Sequence, residues 1–358
     1  MSKLFSPLKI GQLELSNRIV IAPMCQYSAE QGDATDWHMI HLGHLALSGA
    51  GLLILEATAV SPEARISPAD LGLYSDRNEQ ALARVLKAVR QHSDMPIGIQ
   101  LAHAGRKAST AAPWDGGKQV RLDADGWQTE APSALPYAPE DRPPTALDDA
   151  GLARIREAFG QTARRAARLG LDMIEVHAAH GYLLHQFLSP LSNSRTDDYG
   201  GSFENRTRFV MDVVRAVRGG WPMHKPLFVR LSATDWAEGG WDLEQTVKLA
   251  GLLSREGVDV LDVSSGGLTT AQQITPGPGY QVPFASAVKQ AVSGLNVMAV
   301  GMIESPEQAE GILQNGEADL IALARPFLGD PHWSQFAAQK LAADLEVVPQ
   351  YQRGHRLD

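Results

Sequence analysis

The chain has 358 residues, of which 44% are hydrophobic and 20% charged, a balance that is typical of a folded globular protein and excludes a disordered one. Its formal net charge of −9 disfavours nucleic acid and anionic membranes as partners and favours small molecules, while a local phosphate site stays compatible with it. The single cysteine, Cys25, excludes an intramolecular disulfide and a cysteine-rich zinc site.

The sequence predicts a cytoplasmic protein whose first strands form a hairpin. Residues 1–7 hold no apolar run of the length that a secretory signal needs, and no later stretch is long enough for a membrane span. The lone cysteine fits a reducing compartment. Residues 8–15 alternate apolar and polar side chains around Gly11 and Gln12, so we expect a β-hairpin that acts as a lid on the floor of the domain.

Eight short apolar, β-branched runs alternate with amphipathic segments along the chain. This alternation predicts a parallel sheet wrapped by helices. The runs are residues 19–22, 51–57, 97–101, 173–177, 227–231, 258–263, 297–300 and 319–323. No GxGxxG follows the first run, so we predict an α/β protein with a single (β/α)8 TIM barrel, and not an open dinucleotide-binding sheet.

Two features stand out between the third and fourth strands. Apolar residues over 152–166 recur at helical spacing behind the capping candidates Asp148 and Asp149, and Gly170 marks the helix end. Residues 105–149 are dense in Pro, Gly and Trp. A connection of that length is usually functional, so we predict an inserted, lid-like subdomain after strand three.

The ends of strands six, seven and eight indicate a phosphate site. Ser264 begins a Ser-Ser-Gly-Gly loop after strand six, Gly301 follows strand seven, and Ala324 with Arg325 follows strand eight. Free backbone N–H groups and an arginine at this end of a barrel commonly hold a phosphate. The alternative is that the glycines only permit turns and that Arg325 forms a surface ion pair.

His177 and His180 follow strand four, and Tyr182 lies two residues further on. The histidines could be metal ligands, although a catalytic zinc needs a third ligand and no HExxH helix is present. They could also be packing or capping residues, or two N–H donors that converge on one ligand oxygen. In that last case Tyr182 could be an acid, since a phenol is protonated at neutral pH but can protonate a basic carbanion.

Several long motifs occur from one end of the chain to the other. They are Asn17-Arg-Ile, Pro23-Met-Cys-Gln-Tyr, Glu56-Ala-Thr, Gln100-Leu-Ala-His-Ala-Gly-Arg-Lys, His177-Ala-Ala-His-Gly-Tyr, Asn193-Ser-Arg-Thr-Asp-Asp-Tyr-Gly-Gly-Ser-Phe-Glu-Asn-Arg, Ser264-Ser-Gly-Gly and Tyr351-Gln-Arg-Gly. Together they resemble the Old Yellow Enzyme family of flavin ene-reductases, and within it the bacterial, thermophilic-like subclass.

The resemblance implies FMN, bound non-covalently over the strand ends of one domain that spans residues 1–358. Arg230 would stabilise negative charge on the reduced flavin, and Cys25 would adjust its potential. The residues that the resemblance assigns to FMN are Ala22, Pro23, Met24, Cys25, Ala57, Gln100, His177, Arg230, Ser264, Gly301, Ala324 and Arg325.

The resemblance also implies a reaction, the reduction of the activated C=C bond of α,β-unsaturated carbonyl or nitro compounds. His177 and His180 would hold the substrate oxygen, hydride would pass from flavin N5 to the β-carbon, and Tyr182 would protonate the α-carbon. Tyr27 would add a hydrogen bond to the substrate. NADPH or NADH would reduce the flavin first in the same pocket, in ping-pong order.

A subunit interface is implied as well. The segment over about 345–358 would place Arg353 in a neighbouring subunit's active site, in a homodimer or a dimer-built homotetramer. One cysteine excludes an iron–sulfur reductase of the dienoyl-CoA type. A metal-dependent hydrolase or aldolase barrel that uses His177 and His180, and a non-catalytic ligand-binding barrel, stay open.

Overall fold

Eight apolar strands pair in parallel and close into a barrel, as the alternation of the sequence predicts. The computed structural model describes residues 2–354. The strands are β1 (Leu8–Ile10), β2 (Leu13–Leu15), β3 (Ile19–Ile21), β4 (Leu52–Ala59), β5 (Ile97–Ala102), β6 (Glu130–Ala131), β7 (Thr145–Ala146), β8 (Met173–Ala178), β9 (Leu227–Ser232), β10 (Val260–Ser264), β11 (Asn296–Val300) and β12 (Leu320–Leu323). The closed order is β3-β4-β5-β8-β9-β10-β11-β12. The predicted TIM barrel is confirmed.

Helices follow each barrel strand and cover the outside of the barrel. They are α1 (Asp36–Ala46), α2 (Asp76–Arg90), α3 (Asp149–Arg168), α4 (Leu183–Leu188), α5 (Phe203–Gly220), α6 (Leu243–Arg255), α7 (Val282–Ala291), α8 (Pro306–Gln314), α9 (Arg325–Gly329) and α10 (Trp333–Lys340). Between residues 2 and 354, none of them has both the length and the apolar character that crossing a membrane requires.

Helix α3 illustrates how local sequence sets the helix ends. The Asp148 carboxylate accepts a hydrogen bond from the Gly151 backbone N–H, which satisfies a free donor in the first turn. Gly170 follows the last turn with a φ of +71°, a conformation that favours glycine. Both predicted ends of this helix are therefore confirmed.

The N-terminal hairpin closes the floor of the barrel, as predicted. Strands β1 and β2 pair in antiparallel fashion, and Ile10 and Leu15 are buried against residues that fill the barrel interior. Among these are Val20, Leu52, Met173, Phe228, Val260, Met298 and Leu320. The lower half of the barrel is therefore an apolar core, and ligand chemistry is confined to the opposite end.

The insertion between β5 and α3 contains little regular structure. Its only paired strands are β6 and β7, two residues each, within the part of the chain that is described. Arg106 is buried near the start of the insertion and donates hydrogen bonds to the carbonyl oxygens of Leu135, Pro136 and Leu268. This single guanidinium fastens the insertion to the loop that follows β10.

Candidate active site

All predicted site residues except Arg353 lie at or just after the carboxyl ends of barrel strands, which meet at one end of the barrel. Two groups differ in burial. The buried residues are Ala22, Ala57, Gln100, His177, Arg230 and Ser264, whereas Pro23, Met24, Cys25, Tyr27, His180, Tyr182, Gly301 and Ala324 are half-buried and Arg325 is exposed. The buried group forms the floor of the site and the half-buried group its wall.

The rings of His177, His180 and Tyr182 form one cluster at the end of β8. The His177 ring centroid lies 5.1 Å from that of His180 and 5.0 Å from that of Tyr182, and both contacts are edge-to-face. His180 Nε2 is 2.7 Å from Ser264 Oγ on β10. Within residues 2–354, neither His180 Nδ1 nor His177 Nε2 forms a hydrogen bond, so each can meet a ligand.

Burial sets the protonation of this cluster. Removal from water, and then the positive charge of Arg230, holds the pKa of both histidines well below its usual range, so the imidazoles are neutral. Burial, and then the neighbouring Cys25 and Asp70, raises the pKa of Tyr182 well above that of free tyrosine. The cluster therefore presents two neutral imidazoles beside a protonated phenol.

The turn that carries His180 and Tyr182 packs directly against the loop after β10. Gly181 has a φ of +74°, and a Cβ at this position would lie 2.1 Å from the carbonyl oxygen of Gly267. Lys107 joins the same two loops, because its Nζ donates to the carbonyl oxygens of His180 at 2.8 Å and Gly267 at 3.0 Å. Burial, with the charge of Arg106, lowers the pKa of Lys107 to about 8.

We expect the Gly181→Ala variant to lose more than about 2 kcal/mol of unfolding free energy. An alanine is strained at a positive φ, and its Cβ would collide with a backbone carbonyl oxygen. Urea denaturation measures this loss. Gly219→Ala is the matched control, because Gly219 lies in helix α5 with no atom within 4 Å of an added Cβ. A stability of Gly181→Ala equal to that of the control would contradict the close packing of the two loops.

Charged and amide side chains lie beside His177 on the neighbouring barrel strands and form one layer with it. His177, Arg230 and Asp262 are direct neighbours on β8, β9 and β10, and Gln100 neighbours Glu175 on β5 and β8. Arg230 Nε is 3.0 Å from Asp262 Oδ2, in ion-pair contact but outside hydrogen-bond geometry, and Gln100 Nε2 donates to Glu175 Oε1 at 2.7 Å.

This layer is short of hydrogen bonds inside the protein. Arg230 is 7% exposed, and none of its guanidinium nitrogens donates a hydrogen bond to another described residue. Burial raises the pKa of both Glu175 and Asp262, and the charge of Asp262 raises that of Glu175 further. The charge of Arg230 lowers the pKa of both carboxyl groups, but only Asp262 is in ion-pair contact with it, so the proton resides on Glu175. Unpartnered guanidinium donors of this kind fit a ligand with acceptor atoms.

The segment after β3 is held in place by Glu56. Glu56 is the extra residue at a register shift between β4 and β5, and its carboxylate accepts a hydrogen bond from the Gln26 backbone N–H at 3.0 Å. His38 Nε2 approaches the other carboxylate oxygen at 3.2 Å. The flanking Cys25 packs against the small apolar cluster that also contacts Tyr182. Burial raises the pKa of the Cys25 thiol, which is therefore protonated.

The predicted phosphate end contains a residue that the sequence did not single out. Gln281, the residue before helix α7, accepts a hydrogen bond from Ser265 Oγ at 2.6 Å and donates to the carbonyl of Val300 at 2.9 Å. A Cβ on Gly301 would lie 2.3 Å from the Nε2 atom of Gln281. Arg325 forms no ion pair or hydrogen bond with other residues in the described range, so the ion-pair alternative is not observed. Its charge is free for an anionic ligand.

Two predicted contributors have ring or chain neighbours outside the cluster of His177, His180 and Tyr182. Tyr27 has a φ of +49° and packs edge-to-face on Trp114 of the insertion, with ring centroids 5.3 Å apart. Arg353 is exposed near the end of the described chain, two residues after Tyr351, whose ring contacts His332. Residues 355–358 of the predicted interface segment lie outside the described residues.

A metal site would need a third ligand beside the two histidines. Residues 2–354 contain no group of three or more His, Cys, Asp or Glu side chains that could hold a metal ion. The ring neighbour of the histidine pair is a tyrosine, and the atom nearest to His180 Nε2 is a serine hydroxyl. The geometry thus favours a site for an organic ligand.

Known proteins share this architecture. Residues 3–344 match the NADH:flavin oxidoreductase / NADH oxidase family. The chain is 44% identical over 355 residues to an NADPH dehydrogenase of Geobacillus sp. strain WCH70, which covers 99% of this chain and 98% of that protein. It is 42% identical over 354 residues to an NADPH dehydrogenase of Bacillus subtilis strain 168, and the alignment covers 98% of this chain and 99% of that protein.

Solved structures agree with the sequence relatives. Morphinone reductase superposes with a TM-score of 0.80 at 32% identity, over 96% of this chain and 91% of that one. A structure of morphinone reductase in complex with tetrahydroNAD gives a TM-score of 0.78 at 30% identity, over 97% and 93%. The similarity therefore extends over the barrel, the insertion and the site together.

Proposed function

The chain belongs to the NADH:flavin oxidoreductase / NADH oxidase family, also known as the Old Yellow Enzyme family, and from this membership we propose its reaction and the roles of its residues. It is an FMN-dependent NAD(P)H oxidoreductase on a TIM barrel. The proposed reaction is reduction of the activated C=C bond of α,β-unsaturated carbonyl or nitro compounds. The observation that carries this proposal is the cluster of two neutral histidines and one protonated tyrosine at the end of β8.

The two histidines are suited to donate hydrogen bonds to an oxygen of the substrate. Nδ1 of His177 is buried with no partner among the described residues, so Nε2 is the nitrogen that can donate to a ligand. In the tautomer that we assign to His180, Nε2 accepts a hydrogen bond from the Ser264 hydroxyl, so that Nδ1 carries the proton and is the second donor. Two N–H donors on one carbonyl or nitro oxygen stabilise the negative charge that develops there as the β-carbon is reduced.

Tyr182 is suited to the role of proton donor to the substrate. Its ring is in contact with His177, and its hydroxyl makes no hydrogen bond with the described residues, so the O–H is available to a substrate carbon. Its raised pKa keeps the proton on the oxygen until a much stronger base forms beside it. Tyr27 is proposed to donate a further hydrogen bond to the substrate.

The residues at the strand ends fit FMN. Bound there, FMN would accept hydride from the nicotinamide donor and deliver it to the substrate. The free guanidinium nitrogens of Arg230 and the amide of Gln100 suit the polar pyrimidine edge, and Arg325 suits the phosphate. We propose that the holding set is Ala22, Pro23, Met24, Cys25, Ala57, Gln100, His177, Arg230, Ser264, Gly301, Ala324 and Arg325.

Asp262 should hold down the reduction potential of the bound flavin, because its carboxylate offsets the positive charge of Arg230. We expect Asp262→Asn to raise the midpoint potential by about 30 mV or more, which for a two-electron couple equals about 1.4 kcal/mol. The measurement is a redox titration of the holoenzyme at pH 7 against a reference dye.

Glu175→Gln is the matched control for this variant. It makes the same carboxyl-to-amide change in the same layer, but at a group that is already protonated at pH 7, so the potential should change little. A lower potential in Asp262→Asn, or an equal rise in both variants, would contradict the assignment of the charge to Asp262.

We further propose a homodimer or dimer-built homotetramer, with Arg353 in the partner's site. Large apolar side chains are exposed on α1 and near the chain end: Trp37 is 50% exposed, Ile40 68% and Phe336 43%. The His44 and His332 rings, 5.4 Å apart, connect these two regions, so the apolar side chains belong to one side of the molecule. Light scattering on the purified holoenzyme tests the state, and a monomer would contradict it.

The reaction is tested by steady-state kinetics with NADPH and NADH against a small panel of cyclic enones and nitroalkenes. We expect turnover by a yellow protein that releases FMN on denaturation and keeps its activity in EDTA. Loss of activity with the chelator would favour the metal-dependent hydrolase or aldolase barrel. Tight FMN binding with no turnover of any enone would favour the non-catalytic ligand-binding barrel.

A further inference from the structure

The turn that carries His180 and Tyr182 is held from below by a residue that contacts neither substrate nor cofactor in the proposed reaction. His185, on helix α4, accepts a hydrogen bond at Nδ1 from the Gly181 backbone N–H at 2.9 Å. On the opposite side of the ring, Nε2 lies 2.8 Å from Asp235 Oδ1. Both side chains are completely buried. The ring thus connects the site turn to a fixed carboxylate.

These contacts define one tautomer of His185. Since Nδ1 accepts a hydrogen bond from Gly181, the ring proton lies on Nε2, which donates to Asp235. Asp235 is fixed in turn, because its other oxygen accepts hydrogen bonds from Ser189 Oγ at 2.6 Å and from the Trp241 backbone N–H at 2.7 Å. The chain of donors runs in one direction, from the turn to the carboxylate.

The turn needs this support because of its backbone conformation. His180 and Gly181 are consecutive residues with positive φ, +58° and +74°, and a histidine rarely adopts such a value. The Gly181 N–H is buried with His185 as its acceptor, and without that acceptor it would be an unpaired buried donor. Relaxation of the turn would move its two neighbours, the His180 ring and the Tyr182 phenol, together.

We propose that His185 and Asp235 are positioning residues, which act through the Gly181 turn to aim His180 Nδ1 and the Tyr182 hydroxyl at the substrate. This inference rests on the proposed function of those two side chains. The residues bind no ligand themselves. They act on the side of the site that receives the substrate, whereas most residues proposed to hold FMN lie on strands other than β8.

Two substitutions of His185 separate positioning from packing. The amide of asparagine ends at about the place of Nδ1, so His185→Asn keeps an acceptor for Gly181 and loses the contact with Asp235. The longer glutamine reaches about the place of Nε2, so His185→Gln keeps a donor to Asp235 and loses the acceptor for Gly181. Each variant gives up one of the two hydrogen bonds, and only His185→Gln releases the turn.

The test uses the FMN-loaded full chain and a para-substituted phenol, whose charge-transfer band with the flavin reports binding at the histidine pair. We expect His185→Asn to bind the phenol within about threefold of the unmodified protein and His185→Gln to bind it about tenfold more weakly. Reoxidation of the reduced holoenzyme by an enone should slow in the same order, while reduction by NADPH, which needs no proton from Tyr182, should slow less.

Equal phenol affinity in the two variants would overturn the positioning role, as would a larger loss in His185→Asn. If His185→Gln does not fold, Asp235→Asn replaces it, because an asparagine that still accepts from Ser189 and Trp241 turns its NH2 group toward the Nε2–H of His185. A phenol affinity unchanged from that of the unmodified protein would then overturn the proposal. Absence of phenol binding and enone turnover in the unmodified holoenzyme is a different result, since it would overturn the proposed function itself.

Discussion

Tyr182→Phe should slow the reduction of an enone by about a hundredfold or more and leave the reduction of the flavin by NADPH nearly unchanged. The reason is that only the second half-reaction needs a proton on a carbon atom. The phenol hydroxyl forms no hydrogen bond with the described residues, so its removal leaves no partner unsatisfied and the packing of the ring on His177 is retained. Anaerobic stopped-flow absorbance measures each half-reaction separately.

Tyr137→Phe is the matched control. The Tyr137 ring lies 4.7 Å from Lys107 Nζ and the Tyr182 ring 5.1 Å, so both variants remove a hydroxyl from a ring that faces the same ammonium group. Only Tyr182 also contacts His177. Equal losses in both half-reactions of Tyr182→Phe, or an equally slow Tyr137→Phe, would point to a pocket-shaping role in place of proton donation.

His177→Ala should weaken the binding of oxygen-bearing ligands and slow enone reduction by about a hundredfold, because one of two donors to the developing oxyanion is lost. Neutral imidazole is essential to this expectation, and burial with the charge of Arg230 keeps the ring unprotonated. A phenol titration, read from the charge-transfer band, gives the loss in affinity. Stopped-flow reoxidation gives the loss in rate.

A longer amide should rescue part of that loss. In His177→Gln the side-chain amide reaches about the place of Nε2, the nitrogen that faces the ligand because Nδ1 is buried. We therefore expect phenol affinity and reoxidation rate between those of His177→Ala and the unmodified protein. Unchanged phenol affinity in His177→Ala would show that the oxygen is held elsewhere, and the histidine pair would lose its assigned role.

Most of the fold follows from local sequence patterns. All eight predicted barrel strands are present, because strands buried on both faces give uninterrupted apolar runs that are hard to mistake. The hairpin over residues 8–15 and the capping of α3 by Asp148 are equally local. The insertion was predicted as a lid-like subdomain without internal detail, since its order comes from distant contacts such as those of Arg106.

The site was predictable to the extent that strand ends converge. Because parallel strands of one barrel end on the same face, His177, Arg230 and Ser264 had to be close together whatever the rest of the chain does. The family resemblance supplied their roles, which stay predictions. The ring contacts among His177, His180 and Tyr182 agree with those roles.

The supporting contacts were not predictable in the same way. Lys107 bonds to carbonyl oxygens of residues 180 and 267, and His185 bonds to Asp235 fifty residues later. Neither pairing has a periodic pattern or a strand-end position to reveal it. Glu56 was part of a recognised motif, but its function depends on a register shift that only the strand pairing shows.

We propose that the histidine pair and Tyr182 serve the reduction of an activated double bond. The most direct test is a single turnover without oxygen, in which the reduced, FMN-loaded enzyme is mixed with one equivalent of 2-cyclohexenone. We expect that the absorbance of oxidised flavin returns and that one equivalent of cyclohexanone forms. The rate should fall about a hundredfold in Tyr182→Phe. A flavin that stays bleached until oxygen is admitted, with no saturated ketone formed, would contradict it.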